Sequence, residues 1–184
     1  AGIPYYVGLQ KAAFNMYYPD IHMGGEPAID LSRTTIEAIK ALGYDMAPWS
    51  WLNEALPVSP EEVVRMHRRD VDGQIMPNWK IDDQQWYWTC HSYAQDWQEK
   101  ALQNIIPEMT WDHFDVFSCV AGMECYALDH PRHLGRPASR SEDREWIRDV
   151  FKVDTRAGRT VSSESFNDAY AMEYDIGSVK AFPS

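Results

Sequence analysis

Strand-like runs alternate with helix-like segments along the whole of the 184 residues, and this alternation restricts the fold more than any other feature. "YYVGLQKAAFNMYY" reads as extended and mostly buried, running to Tyr18, and the loop after it is broken by Gly24, Gly25 and Pro27. The helix "LSRTTIEAIKALG" has the capping-box spacing Thr34/Glu37 and stops at Gly43. "YDMAPWSWLNEAL" follows as a second strand and a polar loop. "SPEEVVRMHRRD" opens like a helix, with Ser59 as N-cap, Pro60 in the first position and Glu62 three after the cap. "VDGQIMPNWKIDDQQ" is turn-rich and suits a small hairpin insertion.

"WYWTCHS" reads as the third strand. A helix follows, with Trp97, Ala101, Leu102, Ile105 and Ile106 on one face. "HFDVFSCV" reads as the fourth strand and "AGMECYALDHPRHLGRP" as a long irregular loop. Ser139 and Glu142 open the last clear helix, and "RTVSSES" is the fifth strand. Beyond it, "FNDAYAMEYDIGSVKAFPS" gives no firm pattern.

The resulting order, βαβαβαβαβ, implies right-handed crossovers and a parallel sheet. No repeat, low-complexity tract or linker divides the chain, so a single domain over 1–184 is expected. Two parallel architectures compete. An open doubly wound sheet uses a Gly-rich turn after its first strand, and "NMYYPD" cannot do that work. A complete barrel takes eight units and about 250 residues. The expected fold is therefore α/β, a partial (β/α) TIM-type barrel with parallel strands. Such a sheet leaves two strand edges and an uncovered inner face, so a homo-oligomer, or union with the remainder of its own barrel, is expected. A first residue other than Met fits a processed or excised chain.

Charge removes some partners. With 28 acidic against 17 basic residues, the chain lacks the basic footprint that nucleic acid requires. No run approaches the roughly twenty apolar residues of a membrane-spanning helix, so no membrane partner is expected. The start, "AGIPYYVGLQ", has neither a basic n-region nor an apolar h-region. Cys90, Cys119 and Cys125 lack a CxxC pair. They read as buried free thiols, with a Cys119–Cys125 bridge as the alternative, and neither fixes a compartment. Eight Trp and ten Tyr exceed what a core of this size needs, and flat aromatic faces suit sugar rings.

Parallel α/β architectures place function at the carboxyl ends of their strands. Asp115 and Glu164 fall at two such ends. A pair of carboxylates on either side of one bond serves glycoside hydrolysis as acid and nucleophile, or as acid and base. Each also has a structural alternative: Asp115 as an acceptor of backbone N–H bonds, Glu164 as partner of an arginine. Trp51, Asn53 and Tyr126 are candidate sugar contacts. His91, Asp129, His130, Arg136 and Asn167 are candidates for hydrogen bonds to hydroxyls or a carboxylate. Asp129, His130 and His133 also invite a metal, with Asp115 or His91 as a further ligand, but the spacing is no zinc signature and no HExxH is present. The leading expectation includes no cofactor. A serine elbow GxSxG is absent, and adjacent Cys90 and His91 point to opposite faces of a strand, which argues against a Cys/His dyad.

"HFDVFSCVAGMECYALDHP", followed by a helix and "GRTVSSESFNDAY", resembles the central part of a TIM-barrel glycoside hydrolase catalytic domain, most nearly the endo-α-N-acetylgalactosaminidase-like group. The likeness covers roughly Tyr87 to Lys180. It implies a retaining, two-carboxylate reaction on a carbohydrate or glycoconjugate, with Asp115 as nucleophile and Glu164 as acid/base. Such domains are full barrels in long bacterial chains, so the likeness also implies that this chain holds part of one, and it slightly favours an extracellular or periplasmic location. Two rivals stay open: a metal-dependent hydrolase built on Asp129, His130 and His133, and a non-catalytic sector that binds carbohydrate or itself.

Overall fold

In the computed structural model the residues described are 6–9, 34, 36–50, 52–55, 64–81, 83–104, 110–164 and 167–178. Five short segments form parallel strands: β1 (Tyr6–Leu9), β2 (Asp45–Ser50), β6 (Trp111–Phe114), β7 (Thr160–Glu164) and β8 (Ile176–Ser178). Their order across the sheet is β1-β2-β6-β7-β8, and every neighbouring pair is parallel. A doubly wound sheet reverses its order at a switch point. Here each strand is laid beyond the previous one in the same direction, which is the winding of a (β/α) barrel. Among the described residues the sheet does not close, and β1 and β8 are its edges.

Among the described residues, α1 (36–41), α2 (Ala94–Asn104) and α3 (Arg140–Arg156) accompany these strands, and Val64 is also helical. The capping box read from Ser139 and Glu142 is present in both directions, and it fixes where α3 begins. The buried face of α3, with Ile147, Val150, Phe151 and Asp154, follows helical spacing. Phe151 meets Phe114 and Phe117 edge-on, with ring centroids 5.3 and 5.4 Å away. Each fully buried Phe contributes roughly 1.5–3 kcal/mol, so this triad anchors α3 to β6. On α2, Trp97 and Ala101 are buried and Leu102 is half-buried, as their shared face requires. Ile105 and Ile106 lie outside the described residues.

Three expectations are corrected. "WYWTCHS" is not a strand of the main sheet. Gln84–Trp88 forms β5, which pairs antiparallel with β3 (Glu54–Ala55) and β4 (Pro77–Ile81) in a separate sheet inserted between β2 and α2. A period of two is common to parallel and antiparallel strands, so alternation alone cannot separate them. The fifth parallel strand is β8, from the stretch that gave no firm pattern. Second, residues 65–70 are not helical. Arg68 N–H donates to the Trp88 carbonyl at 2.7 Å, and the Arg68 carbonyl accepts from Met76 N–H at 2.9 Å, so its backbone extends the inserted sheet. Ser59, Pro60 and Glu62 lie outside the described residues. Third, the strand expected over "HFDVFSCV" is Trp111–Phe114. Val116 has φ of 45°, and a single left-handed residue turns the chain into the 3-10 turn Phe117–Cys119.

At the opposite end of β6 from Asp115, two buried carboxylates share donors. Asp112 accepts from Ser50 Oγ at 2.8 Å and from Gln98 Nε2 at 2.9 Å, and Asp154 accepts from the same Gln98 nitrogen at 2.7 Å and from Arg159 Nε at 2.9 Å. Burial raises both carboxyls above the ordinary range, and the charge of Asp112 raises Asp154 further. The pair therefore holds a proton that the unfolded chain releases, and its contribution to stability declines as pH rises through the folded-state titration.

Candidate functional site

The register of the parallel strands sets Ser50 beside Phe114, Phe114 beside Ser163, and Glu164 beside Ser178. One further step along β6 and β7 sets Asp115 level with Glu164. Faces follow from alternation. Phe114 and Val161 pack in the core against α3, and Asp112 meets Gln98 of α2 and Asp154 of α3. His113, Ser162, Asp115 and Glu164 therefore belong to the other face, the one that lines the interior of a barrel. His113 Nδ1 and Ser162 Oγ meet there at 2.9 Å, one layer below Asp115 and Glu164. Asp115 is half-buried and Glu164 buried. The Asp115 N–H donates to the Ser50 carbonyl at 2.9 Å, and the Glu164 carbonyl accepts from Ser118 Oγ at 2.5 Å. The left-handed turn at Val116 is what brings Ser118 back under the end of β7.

Behind this rim runs a buried polar chain. Arg68 Nη2 donates to Asp143 Oδ1 at 2.7 Å, and His91 Nδ1 lies 3.0 Å from the same oxygen. His91 Nε2 lies 3.0 Å from Asn53 Oδ1, and Asn53 Nδ2 donates to the Val116 carbonyl at 2.9 Å. Met123 N–H donates to the other Asp143 oxygen at 2.8 Å, while Arg68 Nη1 donates to the Met123 carbonyl at 2.7 Å. The chain thus fixes both the turn after Asp115 and the start of the 120–139 loop. Burial opposes ionisation of Asp143, but the positive charges of His91 and Arg68 prevail and hold its carboxyl well below the usual range.

Two hollows open beside the strand ends. One, of about 420 Å³, lies between the inserted sheet (Trp79, Trp88) and the loop residues Val116, Val120 and Met123, with Asn53 also in its lining. The other, of about 310 Å³, is lined by Asp70, Met76, Glu124 and Tyr126. Gly122, Met123 and Arg140 border both. Trp79 is 42% exposed, and its ring lies 6.3 Å from that of Trp88, tilted by 40°. Gly122 has φ of +88°, and a Cβ there would stand 2.5 Å from the Arg140 carbonyl oxygen and 2.7 Å from Arg144 Cγ. Gly122→Ala should cost roughly 1–3 kcal/mol from the left-handed backbone alone, with the clash added. Thermal unfolding checks this; an unchanged midpoint would contradict it.

The sequence-derived contacts disperse. Asn53 lines the larger hollow and Tyr126 the smaller. Tyr126 O–H donates to Glu124 Oε2 at 3.1 Å, and that bond and charge raise its phenol above the ordinary range. His91 is buried within the polar chain. Asn167 is half-buried and caps the 3-10 turn Asp168–Tyr170 by accepting from Ala169 N–H at 3.0 Å. Arg136 is exposed and pairs with Glu142 at the start of α3. Asp129 is exposed, whereas His130 and His133 are buried and face Cys125 and Cys90. The three cysteines are free thiols, so Cys119 and Cys125 are not bridged. Trp51 lies outside the described residues. Trp79, Trp88 and Met123 were not singled out by sequence; the turn-rich "MPNWK" carried the only signal, an aromatic in a hairpin too short to bury it.

No family model matches the chain, and no curated protein matches it by sequence. Solved structures do. The ligand-free α-N-acetylgalactosaminidase NagBb of Bifidobacterium bifidum superposes with a TM-score of 0.76 at 21% identity, over 94% of this chain and 29% of that one. The α-galactosidase TtGalA of Thermus thermophilus, in complex with stachyose, gives 0.52 at 15% identity, over 79% and 30%. A Flavobacterium johnsoniae GH31 dextranase with isomaltotriose gives 0.54 at 10% identity, over 94% and 22%. The chain spans less than a third of each of these proteins. At such identities the likeness concerns the fold: the five-stranded parallel sheet is a sector of the TIM-type barrel on which these glycoside hydrolases are built.

Proposed function

We propose that this chain carries the catalytic rim of a retaining glycoside hydrolase acting on a carbohydrate or glycoconjugate, with Asp115 as nucleophile and Glu164 as acid/base. One observation supports the reading: β6 and β7 are parallel neighbours with Phe114 beside Ser163, and Asp115 and Glu164 are the next residues along each. Adjacent strands are about 4.8 Å apart. That spacing favours the roughly 5–5.5 Å carboxyl separation of retaining enzymes over the roughly 6.5–9.5 Å of inverting ones. Asp115 attacks the anomeric carbon as Glu164 protonates the departing glycosidic oxygen. Glu164 then takes a proton from the water that releases the sugar. The named activities of the superposed proteins make α-linked galactosides and N-acetylgalactosaminides the first substrates to try. The test is turnover of their aryl glycosides with the anomer of the first product read by NMR. Retention supports the reading; inversion overturns the assignment of a nucleophile.

The tilted pair Trp79 and Trp88 is the proposed sugar platform, with Asn53 beside it. Trp79→Ala should weaken sugar binding about tenfold, which corresponds to ~1.4 kcal/mol, with little change in thermal midpoint because the ring is already 42% exposed. A large drop in midpoint with unchanged affinity would assign Trp79 to packing instead. The five remaining contacts Tyr126, Asp129, His130, Arg136 and Asn167 stand outside this platform, and His91 acts through Asn53.

Among the described residues β1 and β8 are the edges of the sheet, and they carry a second part of the proposal. The single domain 1–184 is a sector whose edge strands are completed by a second copy of the chain or by further barrel units. Light scattering across a wide concentration range should give a species larger than one chain. A stable monomer throughout would contradict it.

A further inference from the structure

Cys90 precedes α2, whereas Cys125, His130 and His133 belong to the 120–139 loop, and all four side chains are buried. Their four ligand atoms lie within 4.8 Å of one another. Cys90 Sγ is 3.2 Å from His133 Nε2, and Cys125 Sγ is 3.6 Å from His130 Nδ1. A tetrahedral zinc ion bound at ~2.3 Å by sulfur and ~2.0–2.1 Å by nitrogen sets its ligands roughly 3.3–3.8 Å apart. The 3.6 Å edge falls within that range and the 3.2 Å edge just below it.

The surroundings are those of a metal centre. His133 Nδ1 is 2.6 Å from the Ala127 carbonyl, to which it donates, so its proton sits there and the Nε2 lone pair turns toward the cysteines. Ser92 Oγ lies 3.2 Å from Cys90 Sγ. A hydroxyl there can donate to a coordinated thiolate. Trp146 stacks on His133 with centroids 5.4 Å apart, Tyr93 meets His130 edge-on at 5.2 Å, and Ala127 and Ala138 complete an apolar shell. Two thiolates and two neutral imidazoles in a tetrahedral set suit zinc over harder cations, which prefer oxygen.

We propose that these four residues bind one zinc ion as a closed structural site. Four protein ligands leave no position for a water, so the ion is not the centre of a hydrolytic reaction. It instead pins the irregular 120–139 loop to the turn before α2. That loop supplies Gly122, Met123, Glu124 and Tyr126 to the two hollows, so the site fixes the cleft wall whichever reaction the cleft supports. Asp129, exposed beside His130, is not a ligand.

The test begins with wild-type protein purified with zinc in the medium. Elemental analysis should give one zinc per chain, retained through gel filtration. Exchange with cobalt(II) should give the visible bands of a tetrahedral site together with thiolate-to-cobalt charge transfer. Cys90→Ser and His130→Gln, each removing one donor, should keep no more than about a tenth of the wild-type zinc after the same gel filtration. Substoichiometric metal in the wild type after reconstitution, a cobalt spectrum without thiolate charge transfer, or a Cys90–Cys125 disulfide in the native protein would overturn the proposal.

Discussion

Asp143→Asn should destabilise the fold by about 3–5 kcal/mol, the cost of breaking a buried ion pair from one side. Arg68 and Asp143 are both fully buried, and their nitrogen and oxygen stand 2.7 Å apart. An amide keeps the shape of the carboxylate and removes its charge, leaving a guanidinium in the core without a counter-ion. Relief from solvent is not at hand, because Arg68 Nε already has no hydrogen-bond partner among the described residues. The Met123 N–H would also face an amide in place of a carboxylate, so the loss extends to the cleft wall. Chemical denaturation checks this through a fall in midpoint at constant slope. A loss below about 1 kcal/mol would mean that the pair is relaxed or hydrated. The pH dependence has a definite sign. The Asp143 carboxyl is held below its ordinary value of 3.8 in the folded state, so its contribution is complete above that pH and is lost as pH falls further. Asp143→Asn should flatten that acid limb, whereas the Asp112–Asp154 pair acts in the opposite direction.

The second large effect is on turnover. Asp115→Asn and Glu164→Gln should each lower the rate at least ~1,000-fold, equivalent to about 4 kcal/mol of transition-state stabilisation. A carboxamide preserves size, but it neither attacks the anomeric carbon nor delivers a proton. The two variants separate by leaving group. Glu164→Gln should lose less with a nitrophenolate, which departs without protonation, than with a sugar alcohol. Asp115→Gly should regain turnover with azide, which takes the place of the nucleophile. Both variants should unfold within a few degrees of wild type. Full activity in either would remove that residue from the mechanism.

How far the sequence discloses this arrangement depends on the residue. The capping box at Ser139 and Glu142, the apolar face of α3 and strand β7 are local signals, and the structure follows them. Sequential winding in one direction was legible only as an alternation of strands and helices. Arg68 shows why the rest was not. In "VVRMHRRD" it has helical context, yet the ion pair with Asp143 lies 75 residues away and recruits its backbone into the inserted sheet. Long-range pairing of this kind leaves no periodicity behind. Val116 is similar: a β-branched residue in an apolar run reads as strand, and long-range bonds, from Ser118 to β7 and from Asn53 to the Val116 carbonyl, hold its left-handed turn. The cysteine and histidine cluster was half visible. His130 and His133 stood out, but they were grouped with neighbouring Asp129 because Cys90 is 43 residues from His133 in sequence and beside it only in space.

The most direct measurement of the two-carboxylate account is covalent trapping. A slowly released fluorosugar of the hydrolysed substrate would be incubated with the protein, which would then be digested and mapped by mass spectrometry. The account predicts a single glycosyl adduct on the peptide containing Asp115, absent in Asp115→Asn and accumulating further in Glu164→Gln when the reagent carries a good leaving group. An adduct on any other carboxylate, or steady hydrolysis with inversion and no adduct, would contradict it.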